Sequence, residues 1–279
     1  MVSLIVAIAA NTMMIFAMKY AENAGTNRNS VIFWNYVFGS LLAVILSGGI
    51  ESGLFFRKEL VFPLCLAVFN AFLMVSCMLT QQVSISANGA GISTTYNRLG
   101  VLIPTILSIF LFKEYPTILK IIGIAISIGA ILYSYEKNER GLKKNYALLG
   151  VILVSGGLID FDSKLLGAFA GDDMREIYIF STFFFGACIM GIITLVKKSK
   201  MTRQDICYGA MIGIPNILIT FGVVSAAAKL DAYIVFPVYS GAVILLVNGI
   251  GALLLKEKLT RRELVSTGMI AIALVLLNI

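Results

Sequence analysis

Histidine is absent from the 279 residues, and only 13% of them are charged. The first absence excludes histidine-based metal sites and imidazole proton switches, so any proton-coupled step must use a carboxylate. The second excludes an ordinary soluble domain, in which about a quarter of residues are charged. Cysteine is scarce: Cys65, Cys77, Cys188 and Cys207 stand singly in apolar runs, without the paired spacing of metal or redox motifs. They read as small apolar fillers. No segment sets a nucleophile beside a base, cradles phosphate with a glycine-rich loop or clusters metal ligands, so the chain points away from an enzyme and implies no cofactor.

What is abundant is apolar. Hydrophobic residues make up 59% of the chain and its mean hydropathy is +0.93, which assigns it to a lipid bilayer. The net charge of +7 would suggest an acidic partner for a soluble protein, but here most cations fall in short connections between apolar runs, where Lys and Arg anchor helices. Nucleic acid is therefore not an expected partner. A span needs roughly 20 apolar residues to cross about 30 Å of hydrocarbon. Ten segments qualify, near 2–20, 30–49, 60–80, 89–112, 117–135, 146–168, 174–196, 205–228, 232–255 and 262–279. The first lacks a basic leader and reads as a span rather than a signal peptide. Pro116 sits where a helix can start without wasting an amide. Pro104, Pro215 and Pro237 fall inside spans, where each is either a plain kink or a hinge.

The chain also repeats itself. Leu-Phe-Lys-Glu-Tyr-Pro-Thr at 111–117 recurs as Leu-Leu-Lys-Glu-Lys-Leu-Thr at 254–260, an offset of 143 residues. The same offset lays Tyr96 over Tyr239, and a three-residue gap lays Asn70 over Asn216. Two units follow, 1–143 and 144–279. Five spans per unit is an odd number, so the second copy must enter the membrane inverted relative to the first, as in many secondary transporters. The expected fold is an all-α membrane protein of ten transmembrane helices in two inverted five-helix repeats. Gly209-x-x-x-Gly213 and Gly249-x-Gly251 offer sites of close helix approach.

The run Pro-Val-Tyr-Ser-Gly-Ala, then Leu-Leu-Leu-Lys-Glu-Lys-Leu-Thr, then Gly-Met-Ile-Ala-Ile-Ala across 237–273 resembles the EamA-like branch of the drug/metabolite transporter superfamily. Its counterpart in the first half runs from Tyr96 to Leu132, with Leu-Phe-Lys-Glu at 111–114. The resemblance implies a ten-helix bundle with a central cavity lined by spans 1–4 and 6–9, with spans 5 and 10 peripheral. It also implies equivalent places for Lys19 and Lys164 near the ends of spans 1 and 6. The chain departs from the pattern in span 1, where Asn11-Thr12-Met13-Met14 stands where an aromatic is frequent.

Arg98 is the sharpest chemical signal. It lies about nine residues into span 4, roughly 13 Å along a helix. A cation at that depth costs ~2.5–3.5 kcal/mol on insertion scales and faces the interior with a partner. It is either a forked donor for a substrate carboxylate or phosphate, or half of a structural pair. Asp160 in span 6 is the natural counter-charge. It either pairs with Lys164 one turn on, or faces the cavity to neutralise Arg98, bind an ammonium or take up a proton. Asp162 points elsewhere by helical period and reads as an interface residue. Asn11, Asn35, Asn70, Asn97, Asn216 and Asn248, with Tyr96 and Tyr239, form the uncharged polar set, serving either as helix glue or as substrate ligands. The candidate substrate-binding set is Arg98, Tyr96, Asn97, Asn70, Asn216, Tyr239, Asp160 and Asn11. Trp34 and Tyr36, near the start of span 2, suit an interfacial belt. The repeated Lys113-Glu114 and Lys256-Glu257 turns suit helix ends.

Orientation is contested within the sequence. The odd-numbered connections carry more Lys and Arg than the even ones, which puts both termini outside; the family resemblance implies both in the cytoplasm. The expectation is a multi-pass protein of the cytoplasmic membrane that moves a small polar metabolite, amino-acid-like or a small carboxylate, by alternating access. Proton coupling, if present, would fall on Asp160, and the oligomeric state is left open. The competing readings are a translocator of a lipid-linked or phosphate-bearing headgroup and a membrane scaffold that conducts nothing.

Overall fold

The computed structural model describes residues 2–46, 60–88, 90–134, 145–170, 172–254 and 261–278. Among them there is no strand. Eleven helices follow in order: α1 (Val2–Asn23), α2 (Arg28–Leu46), α3 (Val61–Asn88), α4 (Ala90–Leu99), α5 (Leu102–Phe112), α6 (Ile118–Ser134), α7 (Tyr146–Phe169), α8 (Asp172–Val196), α9 (Arg203–Ala227), α10 (Ala232–Leu254) and α11 (Arg261–Asn278). Seven are long and apolar enough to cross a membrane, and three shorter apolar stretches, Tyr96–Phe112, Ile118–Tyr133 and Leu264–Leu277, accompany them. Large apolar side chains such as Ile45, Phe72, Phe110, Ile192 and Leu195 stand exposed, the reverse of a soluble surface. The protein is an all-α membrane protein.

Contacts divide the chain into two units, each drawing on both halves of the sequence. The first holds Met1–Val75 and Asp162–Lys229; the second holds Ser76–Phe161 and Leu230–Ile279. The repeat boundary at 143/144 lies outside the described residues.

The first unit is built on glycine. On α2 and α8, Gly39 seats the ring of Phe183, Gly186 seats Tyr36, and Gly191 seats Phe33. Partners run 33 with 191, 36 with 186 and 39 with 183, so the two helices are antiparallel. Trp34 and Tyr36 are therefore not belt residues. Tyr36 is wholly buried against Phe183, and Trp34 lies over Gly209 with its indole nitrogen enclosed. They point inward because α9 also packs on α2: an added Cβ at Gly213 would come within 2.6 Å of the Asn35 carbonyl oxygen, so only glycine permits that approach. At the other end of α9, Gly222 meets Ser3 and Ala7 of α1.

The start of α9 is tied down by Asp205. Its carboxylate accepts from the Thr202 amide (2.8 Å) while Thr202 Oγ1 accepts from the Asp205 amide (3.2 Å), a reciprocal capping box. The other carboxylate oxygen accepts from the Asn27 amide at 2.9 Å, holding the α1–α2 turn in which Gly25 takes φ +68°. Asp205 is fully buried, so each of these bonds satisfies a charge that lipid or protein would otherwise strand.

In the second unit α6 packs on α11, and α10 packs on α5, α6 and α11. The first Lys-Glu turn has the structural role expected of it. Lys113 ends α5 with φ 55°, and Glu114 Oε2 accepts from the Ala232 amide at 2.8 Å, placing a carboxylate at the positive end of α10. The second turn, Lys256-Glu257, lies outside the described residues.

Candidate functional site

Span 4 was expected near 89–112, with Pro104 inside it as a kink or a hinge. Instead it is two helices, α4 and α5, that stop and restart at Gly100-Val101. The reason is Pro104: it has no N–H for the Gly100 carbonyl and its ring crowds that carbonyl, so the turn before it cannot close as an α-helix. The backbone re-satisfies itself with tighter bonds, from the Gly100 amide to Asn97 O (3.1 Å), from Val101 to Arg98 O (3.3 Å) and from Ile103 to Gly100 O (2.9 Å). Thr105 Oγ1 donates to Val101 O at 2.8 Å.

The break meets α7 backbone to backbone. A Cβ on Gly157 would stand 2.5 Å from the Gly100 carbonyl oxygen, and one on Gly100 would stand 2.9 Å from the Gly157 amide nitrogen. Asn97 lies over Gly156 and donates to Cys77 Sγ at 3.4 Å. This contact sets the last turn of α4, which carries Tyr96, Asn97 and Arg98, beside the turn of α7 that carries Asp160.

Arg98 ends α4, where its cation complements the negative end of the half-helix. The groups whose electrostatics reach it are Tyr239 on α10 and Asp160 on α7. Arg98 and Asp160 are each partly buried, and each lies within electrostatic reach of the other. Among the described residues neither makes a hydrogen bond or an ion pair, so the pairing of Asp160 with Lys164 that their spacing allows does not form. Tyr239 is 7% exposed on α10, and Tyr96 is half-buried on α4.

The remaining candidates belong to the first unit. Asn216 donates to Asn35 Oδ1 at 3.0 Å between α9 and α2, and Asn11 is buried on α1. Asn70 on α3 donates to Asp162 Oδ2 at 2.8 Å and to the Tyr178 hydroxyl, and that hydroxyl donates to Asp162 Oδ2 at 2.5 Å. Asp162, expected at an interface, is 1% exposed within this cluster. Its part was missed because helical period gives a direction for a side chain but not what waits there; two carboxylates two residues apart on α7 were the available signal. Within the second unit the structure gathers Arg98, Asp160 and Tyr239, with Tyr96 and Asn97 on the adjoining turn; Asn70, Asn216 and Asn11 belong to the first unit.

Comparisons with known proteins add the fold and little chemistry. No family model matches the chain. It is 24% identical over 269 residues to an uncharacterized protein of Haemophilus influenzae, covering 93% of this chain and 91% of that protein. A protein crystal structure superposes with a TM-score of 0.80 over 99% of this chain and 94% of the other, at 9% identity, so the two share a fold.

Proposed function

We propose that the chain is a ten-span secondary transporter of the cytoplasmic membrane, of the drug/metabolite type with EamA-like sequence, that moves a small polar metabolite by alternating access. The substrate carries a carboxylate, and an amino-acid-like zwitterion suits the site best.

The observation that carries this reading is the pair Arg98 and Asp160, partly buried within electrostatic reach of each other and making no hydrogen bond or ion pair among the described residues. Burying two charges costs several kcal/mol each unless they are paired, so their separation is tolerable where a ligand or water completes them. A guanidinium fork fits a carboxylate in two parallel bonds, and a carboxylate opposite it accepts an ammonium. A scaffold without a substrate would close the two on each other. The helix break supports the same reading, since interrupted helices at membrane depth are found where they line a cavity.

The inverted repeat is supported by α2 and α8. Tyr36 over Gly186 and Phe183 over Gly39 are one contact written twice, because 183 − 36 and 186 − 39 both equal 147. Reciprocal contacts between antiparallel helices require a two-fold axis perpendicular to them, which for spanning helices lies in the membrane plane.

The test is purified protein in vesicles, screened for thermal stabilisation by amino acids, small carboxylates and phosphorylated headgroups, then uptake of each hit by wild type and Arg98→Ala. Loss of a charge-assisted bidentate contact of about 1.5–3 kcal/mol predicts roughly 10- to 100-fold weaker binding. Equal uptake by the two proteins would remove Arg98 as the anchor. Stabilisation by phosphorylated headgroups alone would move the substrate class.

A further inference from the structure

The cluster of Asp162, Tyr178 and Asn70 is not needed to bind a solute, and its hydrogen bonds do not balance. All three residues lie in the first unit at 3% exposure or less. Asp162 Oδ2 accepts from both the Tyr178 hydroxyl and the Asn70 amide nitrogen, while Asp162 Oδ1 and Asn70 Oδ1 are buried with no partner. Thr182, one turn from Tyr178 on α8, sets its hydroxyl against the Tyr178 hydroxyl rather than the carboxylate.

Two orphaned acceptors in one enclosed cluster lack a donor. No water can supply it, because these atoms have essentially no surface that a water-sized probe reaches. The same closeness excludes a sodium ion, which needs several oxygens around a void of its own. Nor does a side-chain cation neutralise the carboxylate. Lys164 on the same helix, Asp172, Asp173, Arg175 and Glu176 on α8, and Arg203 and Asp205 on α9 are the other charged residues of these helices, α3 carrying none; the groups that act on Asp162 are Tyr178 and Asn70. Asp160, two residues away, does not act on it either. The ligand that requires no volume, cancels one negative charge and turns an acceptor into a donor is a proton.

We infer that Asp162, Tyr178 and Asn70 form a proton-binding site, with Asp162 Oδ1 as the atom that gains and loses the proton. Uptake forms an O–H bond at Oδ1 with a proton drawn from the aqueous phase and leaves the site neutral. Release returns the proton to water and leaves a carboxylate that keeps its two donors on Oδ2 but has nothing at Oδ1. The closed arrangement is then unbalanced, so loss of the proton favours a conformation in which water reaches α7 beside α3 and α8. The transporter reading gives this site its use as the coupling position, in place of Asp160, and rests on the proposed function; proton occupancy itself does not.

The experiment is infrared difference spectroscopy of the full chain in lipid vesicles, titrated with pH in H2O and D2O without any solute. Wild type is expected to show the C=O stretch of a protonated carboxyl group that shifts in D2O and disappears as pH rises. Asp162→Asn is expected to lose that band and Asp160→Asn to keep it. Because Asp162→Asn can fail to fold, Tyr178→Phe provides a second arm: it keeps the ring and removes one donor to the carboxylate, so the band should persist to higher pH. A wild-type spectrum without the band, an unchanged band in Asp162→Asn, or a titration unmoved by Tyr178→Phe would overturn the site. A titrating band in a protein that takes up no solute would sink the transporter reading and leave the proton site standing.

Discussion

Gly157→Ala is the substitution on which the geometry of the site can be tested most directly. The new Cβ would meet the Gly100 carbonyl oxygen at 2.5 Å and Ile103 Cβ at 2.7 Å. Carbon contacts are comfortable near 3.5–4.0 Å, so the two helices must separate by about 1 Å. Overpacking of this kind costs about 1–3 kcal/mol, and backbone atoms yield less readily than a side-chain tip. Alanine also gains helix propensity, about 0.8–1.0 kcal/mol over glycine, which offsets part of the cost. Gly150 supplies the control, because it lies on the same helix with nothing within 4 Å of its Cβ. Gly150→Ala receives the propensity gain without the clash. The difference between the two variants is thus the packing cost alone, about 1–3 kcal/mol in favour of Gly150→Ala. Unfolding in mixed micelles, followed by circular dichroism as the denaturing detergent fraction rises, measures it. Equal midpoints for the two variants would show that α4, α5 and α7 do not meet at Gly100 and Gly157, and the placement of Arg98 beside Asp160 would lose its support.

Two other perturbations test the first unit by the same assay. Asp205→Ala removes the capping box of α9 and leaves the Asn27 amide without its acceptor; the expected loss is about 1–2 kcal/mol for the cap and about 1 kcal/mol for the stranded amide, and an unchanged midpoint would refute the role. For Asn35 and Asn216, a double-mutant cycle to alanine should return a coupling of about 0.6 kcal/mol and no more than about 1.7. A coupling near zero, accompanied by lost uptake in Asn216→Ala, would return Asn216 to the substrate site.

Much of the fold could be read from the chain because a bilayer demands so little of it. Segments of about 20 apolar residues have one stable conformation in hydrocarbon, so the starts and ends of α1, α2, α7 and α8 fall within a few residues of expectation. Gly209 and Gly213 were visible as a close-approach pair and serve as one. What failed to be legible was direction. Tyr36 was assigned to a belt because its place near a helix start is all that sequence supplies; that Gly186 lies opposite is a fact of tertiary packing. The interruption at Gly100 had its signals, a proline four residues on and a glycine at the break, yet the same residues also fit a continuous kinked span. The capping box Thr202-x-x-Asp205 was readable and passed over, whereas the further bond of Asp205, from the Asn27 amide, is made 178 residues away in sequence and was not readable. For the site, Arg98 and Asp160 stood out by charge in an apolar run. Asn70 and Asn216 stood out by their matching apolar segments, and such a match does not say whether an asparagine packs or binds.

The division of the chain gives α7 a particular importance. Asp160 and Asp162 are two residues apart on one unbroken helix, and the boundary between the two compact units passes between Phe161 and Asp162. One carboxylate therefore belongs to the pair with Arg98, and the other to the cluster with Tyr178. Successive helical positions turn by about 100°, so residues two apart face well away from each other and can occupy different environments without any distortion. A solute that completes Arg98 and Asp160, and a proton that completes Asp162, would then each act on a residue of α7. Coupling between two sites requires an element that both ligands bias. A helix carrying a ligand of each supplies one in a single turn, with no chain of intermediate contacts. If α7 is that element, breaking its continuity with Phe161→Pro should leave each site able to bind its own ligand weakly while abolishing any dependence of solute uptake on pH; uptake that stays pH-dependent in that variant would place the coupling outside α7.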